Sequence, residues 1–135
     1  MSIEEIKILK RRAETFLRHA KEALEHEEFD FACFSSEQAA QLFIKSIMLE
    51  LTGEVPRLHK VREMLYLLSK SVPEMEKQII EFVEKNKEKL RALDDAYITS
   101  RYLPSVCTNE EAEMLVKLAE DLIKFVDKVL KECKH

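Results

Sequence analysis

The stretch FACFSSEQAAQLFIKSIMLELTGEVPRLHKVREML, residues 31–65, contains the helix around which the rest of the chain is expected to pack. Asp30 suits the N-cap of this helix, and apolar residues then recur at intervals of three and four as far as Leu51. Apolar side chains cover more than half of its circumference, which predicts a central position. Gly53, the only glycine in the chain, suits the left-handed residue that ends a helix, and Pro56 follows it.

Apolar periodicity predicts three further long helices and one short helix in the rest of the chain. The spacing S/T-x-x-E, typical of a capping box, marks the expected starts of three helices at Ser2, Ser71 and Thr108. No segment alternates apolar and polar residues between turn residues, so no strand is expected. The predicted fold is all-α, an up-and-down bundle of four long helices plus one short helix at about 59–69, with residues 1–135 as a single domain.

Length and composition fit one folded domain with its own core. The chain has 135 residues, of which 46% are hydrophobic and 36% are charged. The net charge of −4 gives no overall electrostatic reason to bind nucleic acid or an anionic membrane. No apolar run approaches the roughly 20 residues that span a bilayer, and the N-terminus lacks the apolar core of a signal peptide. A cytoplasmic protein with no membrane partner is therefore expected.

Two further features of the composition bear on the environment of the protein. Cys33, Cys107 and Cys133 show no CxxC spacing, so reduced and mostly buried thiols are expected. Glu and Lys are abundant, whereas Asn and Gln together number five, and this bias indicates a thermophilic source.

Two stretches of the sequence resemble the HEPN family of prokaryotic helical proteins. In the first stretch, residues 31–65, the matching positions are Gln38, Ala39, Ala40, Lys45, Gly53, Pro56 and His59. The second stretch is YITSRYLPS, residues 97–105, which is similar to the family's Tyr-Ile-x-x-Arg-Tyr followed by Pro. The chain departs from the family pattern at Gln41, where a glutamate is usual, and at Pro104, which is displaced by one residue.

This resemblance implies a bundle of about five helices that is commonly dimeric. Members of the family are often encoded beside small nucleotidyltransferases. Some branches are RNases of toxin–antitoxin systems, and others are thought to bind nucleotides. The RNase branches carry an Arg, four to six intervening residues and a His in the later part of the bundle.

The RNase spacing occurs here only at Arg12 and His19, which lie in the first helix and not where the family places its site. We therefore predict no catalytic residues and favour a protein that is not an enzyme. Two histidines on the same helix, His19 and His26, have metal-ligand spacing with Glu22, but they lie mostly opposite the apolar face. A solvated surface is the expected role, and no metal or cofactor is predicted.

Three polar residues of the second helix, Gln38, Gln41 and Lys45, repeat at i, i+3 and i+7 and so share one stripe. They could form a surface for a nucleotide or partner, or a hydrogen-bonded network that ties this helix to its surroundings, which is the expected role. His59 is expected to begin the short helix and to cap it or bond a nearby carbonyl.

The cluster Tyr97, Arg101 and Tyr102 has two interpretations. Arg101 near a helix C-terminus can bond the last carbonyls or pair with Asp94 or Asp95. Alternatively, its guanidinium beside aromatic rings suits a nucleotide phosphate and base. The predicted ligand-binding residues are Arg101, Tyr97, Tyr102, Lys45, Gln38, Gln41 and His59.

Asn86 interrupts an apolar seam of the fourth helix, where it is either exposed or a buried determinant of register. Several helices also carry a second apolar strip. Exposed together, these strips would form a large apolar patch, so a homodimer is expected. The strips contain Phe34, Met48, Phe82, Met114, Leu118 and Phe125.

The predicted function is that of a non-catalytic accessory or regulatory subunit. It would bind a small nucleotidyltransferase partner, with a nucleotide as a further candidate ligand, while binding of nucleic acid is not expected. One alternative is an RNase toxin of a toxin–antitoxin pair with a displaced active site. Another is a plain helical scaffold.

Overall fold

The computed structural model describes residues 3–102 and 107–133, with side chains described up to residue 97 and again from residue 107. These residues form six α-helices and one short 3₁₀ helix, and no strand occurs among them. The helices are α1 Ile3–Glu25, α2 Phe29–Thr52, α3 Val61–Ser71, α4 Glu76–Lys85, α5 Lys87–Tyr102 and α6 Asn109–Cys133, with the 3₁₀ helix at Pro73–Met75. The all-α helical bundle expected from the sequence is confirmed.

Helix α2 is the central helix of the bundle, since it packs against α1, α3, α5 and α6. Gly53 ends it in the left-handed conformation, with φ of 83° and its N–H bonded to the carbonyl of Leu49, as predicted. The predicted N-cap is wrong, because α2 begins at Phe29. Asp30 instead accepts a hydrogen bond from the backbone N–H of Cys107, and so connects α2 to the start of α6.

The capping boxes have different outcomes. Thr108 and Glu111 form the predicted box, because the Thr108 hydroxyl accepts from the Glu111 N–H at 3.1 Å and the Glu111 carboxylate accepts from the Thr108 N–H at 3.3 Å. Ser71 does not open a helix. It ends α3, and its hydroxyl donates to the carbonyl of Leu67 at 3.0 Å. Ser2 lies outside the described residues.

The predicted fourth long helix is two helices that meet at Asn86. The Asn86 N–H and its side-chain amide both donate to the carbonyl of Phe82, at 3.1 and 2.9 Å. The Asn86 carbonyl then accepts from the N–H of Leu90, in the first turn of α5. The amide thus caps the end of α4, and this role explains a polar residue within an otherwise apolar pattern.

Two of the three cysteines form a disulfide, which corrects the expectation of reduced thiols. Cys33 in the first turns of α2 is bonded to Cys107 just before α6, across a sequence separation of 74 residues. Cys133 at the end of α6 is free and half-buried.

The second apolar strips do not form the common exposed patch expected from the sequence. Met48 and Leu118 are each only 3% exposed. The rings of Phe82 and Phe125 stack on each other with centroids 4.5 Å apart. Phe82 of α4 and Phe125 of α6 therefore cover each other within one chain, and Met48 and Leu118 are buried in the core. None of the described helices is both long enough and apolar enough to cross a bilayer.

Candidate functional site

A chain of polar side chains runs along α2, and we call Glu37, Gln38, Gln41 and Lys45 the α2 polar seam. Glu37 lies at its centre, completely buried. Its two carboxylate oxygens each accept an amide hydrogen at 2.7 Å, one from Gln38 Nε2 and the other from Gln41 Nε2. Gln41 Oε1 in turn accepts a hydrogen bond from Lys45 Nζ at 2.9 Å. Gln38 and Lys45 are half-buried, so both ends of the seam reach towards solvent.

Burial sets the charge state of the seam. Desolvation raises the pKa of Glu37 to about 7, against the opposing hydrogen bonds from Gln41 and Gln38. The nearby carboxylate of Asp94 raises the pKa of Glu37 further, and Lys45 lowers it. Desolvation also lowers the pKa of Lys45, while the Glu37 carboxylate opposes that effect. The seam therefore contains a carboxyl group that exchanges its proton near neutral pH.

Asp94 of α5 lies between the seam and the start of α3. Its carboxylate oxygens accept the backbone N–H groups of Val61 at 2.6 Å and Arg62 at 3.5 Å. Burial raises the pKa of Asp94, and these two N–H groups lower it. Asp94 thus caps α3 from a neighbouring helix, and it places a second carboxyl group close to Glu37.

The structure brings together three of the seven predicted ligand residues. Gln38, Gln41 and Lys45 are linked through Glu37 in a hydrogen-bonded network, which the sequence analysis favoured over a free ligand surface. Tyr97 lies half-buried on α5, close to one turn after Asp94. Arg101 and Tyr102 belong to α5, but their side chains lie outside the described residues, as does Pro104.

His59 does not take the predicted capping role. It is exposed, and α3 begins two residues later, after Lys60, without a side-chain cap of its own. Asp94 supplies the hydrogen bonds that were expected from His59.

Neither the central position of Glu37 nor the capping role of Asp94 was predicted from the sequence. The sequence places Glu37 four residues before Gln41 on the same helix, as an acidic residue among small and apolar ones, but this spacing does not show that Glu37 is buried. Nothing local marks Asp94, since its backbone partners lie 32 and 33 residues earlier in the chain.

The residues considered for RNase chemistry and for metal binding do not come together in the structure. Arg12 and His19 lie seven residues apart on α1, which corresponds to about 10.5 Å along the helix axis. Arg12 lines a surface groove of about 240 Å³ with apolar neighbours that include Ile8 and Val55. Among the residues whose side chains are described, no three His, Cys, Asp or Glu converge as metal ligands would.

Comparison with known proteins agrees with this architecture. The model of the HEPN domain matches residues 6–129, which is nearly the whole chain. The chain belongs to the HEPN family. The crystal structure of TT1696 from Thermus thermophilus is similar to this HEPN protein, with a TM-score of 0.73 and 29% sequence identity. The similarity covers 91% of this chain and 96% of that chain. No curated protein matches the chain.

The departure at Gln41 has a physical explanation within this HEPN protein. The amide donates to Glu37 and accepts from Lys45, so it needs one donor and one acceptor. An ionised glutamate at this position could accept from Lys45 but could not donate to Glu37. The neutral residue is therefore what allows a buried carboxylate and a lysine to share one network.

Proposed function

We propose that this HEPN protein is a non-catalytic accessory subunit that binds a small nucleotidyltransferase and holds the phosphates of a nucleotide at the α2 polar seam. The observation that carries the proposal is Lys45. Its ammonium group is half-buried in an otherwise largely apolar helix and is held in place by Gln41. A cation that is already partly desolvated binds a phosphate more strongly than a freely hydrated one, because less water has to be removed.

Helix α5 carries two further predicted ligand residues. It packs against α2, and it carries Tyr97 and Arg101 one turn apart. A guanidinium binds phosphate oxygens in a bidentate manner, and a tyrosine ring offers a surface for a base. Arg101 would supply a further positive charge for the nucleotide.

The proposal of a non-catalytic role rests on the histidines. RNase chemistry without a metal needs a group that moves the 2′-hydroxyl proton and a cation that stabilises the phosphorane. His19 is half-buried on α1, and His59 is exposed next to α3. We expect no cleavage of structured or single-stranded RNA in EDTA or in Mg²⁺. Cleavage that disappears in His59→Ala or His19→Ala would instead establish the RNase alternative.

Calorimetry tests nucleotide binding directly. ATP is titrated into the native protein and into Lys45→Ala and Arg101→Ala, each of which is expected to weaken binding by about tenfold or more through loss of a charge-assisted hydrogen bond. Lys117→Ala is the matched control, because Lys117 is an exposed lysine on α6 that pairs with Asp121. Absence of binding to the native protein at millimolar ATP would refute the proposal, as would equal affinities of all four proteins.

Co-expression tests the partner. The protein is produced together with the small nucleotidyltransferase encoded beside its gene, and the two are expected to elute as one complex in size-exclusion chromatography. If the neighbouring gene encodes no such enzyme, or if the two proteins elute separately, the accessory role is wrong and the helical scaffold becomes the better description.

We further propose a homodimer, now supported by different residues from those that the sequence suggested. Ile8, Val55 and Leu67 are 38%, 44% and 36% exposed, and they line two surface grooves that flank the connection between α2 and α3. Apolar surface of this kind is typical of interfaces. Sedimentation that shows only monomer at micromolar concentration would contradict this proposal.

A further inference from the structure

A carboxylate at the centre of the bundle needs an explanation. Glu37 is completely buried, and its partners are two neutral amides. Lys45 is separated from it by Gln41, so this lysine does not compensate the buried charge by a direct ion pair. Such a charge is costly, and a glutamine or an apolar residue would fill the same space at lower cost. The arrangement therefore suggests a role for the proton of this group.

The hydrogen bonds from Gln41 to Glu37 and from Lys45 to Gln41 connect the proton of Glu37 to the half-buried ammonium group of Lys45. Both oxygens of Glu37 already accept an amide hydrogen. When the oxygen that faces Gln41 is protonated, it becomes a hydrogen-bond donor. It then faces the Nε2 group of Gln41, which is also a donor, and the hydrogen bond between them is lost. Rotation of the amide by 180° restores the bond, because Oε1 then faces Glu37. The same rotation turns Nε2 towards Lys45, and the ammonium group loses its acceptor.

We propose that Glu37 is a positioning residue that takes up a proton when an anion binds at Lys45, with the Gln41 amide as the connection between the two. The inference rests on the proposed function, since it concerns the same phosphate-binding site at Lys45. In the empty seam, the ionised Glu37 holds Lys45 through Gln41. In the occupied seam, Glu37 is protonated, Gln41 is rotated and Lys45 binds the anion. The proton comes from solvent, and Lys45 keeps its own.

The charges that face Glu37 determine the direction of the effect. In the part of the chain whose side chains are described, they are Lys45 from its own helix and Asp94 from α5. An anion bound at Lys45 adds a negative charge near Glu37, in addition to that of Asp94. It also neutralises the positive charge of Lys45. Both changes favour the protonated form of Glu37. Because the pKa of Glu37 is already about 7, protons are taken up at and above neutral pH. Anion affinity should therefore fall as the pH rises.

Calorimetry in two buffers measures this proton directly. ATP is titrated at about pH 8 in Tris and in HEPES, whose enthalpies of ionisation differ, and the difference in binding enthalpy gives the number of protons taken up. We expect uptake of up to one proton per site in the native protein. In Glu37→Gln, only the contribution of the ligand itself should remain. Between about pH 7 and 8.5, native affinity should fall by up to about tenfold per pH unit more than that of Glu37→Gln.

Two controls separate this linkage from a structural effect. Glu120→Gln changes the net charge equally but lies on α6, where Glu120 pairs with Lys21, so it should behave like the native protein. NMR of ¹³C-labelled glutamate follows the carboxyl carbon of Glu37 without any variant, and its titration midpoint should move to higher pH when ATP is present.

The outcomes distinguish the two proposals. If the native protein does not bind ATP, the proposed function is wrong and this inference falls with it. If ATP binds but proton uptake is the same in native protein and Glu37→Gln, or if the NMR midpoint does not move, the inference alone is overturned.

Discussion

Reduction of the Cys33–Cys107 disulfide is expected to lower the free energy of unfolding by several kilocalories per mole. The bond joins residues that are 74 apart, so α3, α4 and α5 lie wholly within the closed loop, together with most of α2. Cross-linking such a long loop removes conformational freedom mainly from the unfolded chain. The native contacts should change little, because Cys33 is buried among core residues that do not depend on the disulfide for their place in the helices.

The size of the effect follows from the loop length. The chain-entropy relation gives about 4.5 kcal/mol at 25 °C for a loop of this size. An unfolding entropy of about 2.1 cal/mol/K per residue, over 135 residues, amounts to roughly 280 cal/mol/K. The melting temperature should therefore fall by about 15 °C on reduction.

Urea unfolding with and without a phosphine reductant measures this loss. Cys107→Ser is the informative variant, because Cys107 is half-buried and a hydroxyl is tolerated there better than at Cys33. It should match the reduced native protein and be insensitive to the reductant. Cys133→Ser is the control, because Cys133 is the free cysteine, and it should match the oxidised native protein.

Two results would refute the reasoning. Oxidised native protein and Cys107→Ser could unfold at the same urea concentration, in which case loop closure contributes nothing. Alternatively, an alkylating reagent could label three thiols in the unfolded, unreduced protein, in which case no disulfide exists. One label, at Cys133, is expected.

Three further predictions concern single side chains. The pKa of Glu37 lies above its ordinary value of 4.5, so its contribution to stability is present below pH 4.5 and is lost as the pH rises through about 7. Glu37→Gln should remove a pH dependence of about 3 kcal/mol between about pH 4.5 and 8, measured by urea unfolding. Asp94→Ala leaves two N–H groups of α3 uncapped and should cost about 1 to 2 kcal/mol in thermal melts, whereas equal melting of variant and native protein would show that water replaces the cap. Gly53→Ala meets no neighbouring atom within 4 Å, but its φ of 83° should cost about 1 kcal/mol, and Gly53→Asn should cost less.

Local signals made much of the fold predictable. The end of α2 at Gly53 and the capping box at Thr108 depend on residues within one helical turn, so the sequence contains all the information they need. Ser71 and Asn86 show the limit of such signals. The spacing of Ser71 suited the start of a helix, but Ser71 is the last residue of α3. The apolar period continued across Asn86, although one helix ends and the next begins there.

The parts that could not be predicted depend on distant residues. The disulfide partner of Cys33 is 74 residues away, and Asp94 caps a helix that begins 33 residues earlier. Neither pairing has a sequence pattern, because each arises only when the bundle has assembled. The α2 polar seam was partly predictable, since the spacing of Gln38, Gln41 and Lys45 is local, whereas the burial of Glu37 depends on packing by other helices.

The short connection between α1 and α2 has a consequence for the order in which the protein folds. Residues 26–28 make the turn, with Glu27 in a left-handed conformation at φ of 60°, and the two helices pack against each other more extensively than any other described pair. These contacts are local in sequence, so they can form quickly at a small cost in loop-closure entropy. Asp94 reaches the seam only after α5 has docked across a much longer loop. We therefore expect Glu37 to belong to a helical hairpin that forms early, and Asp94 to join it later in folding.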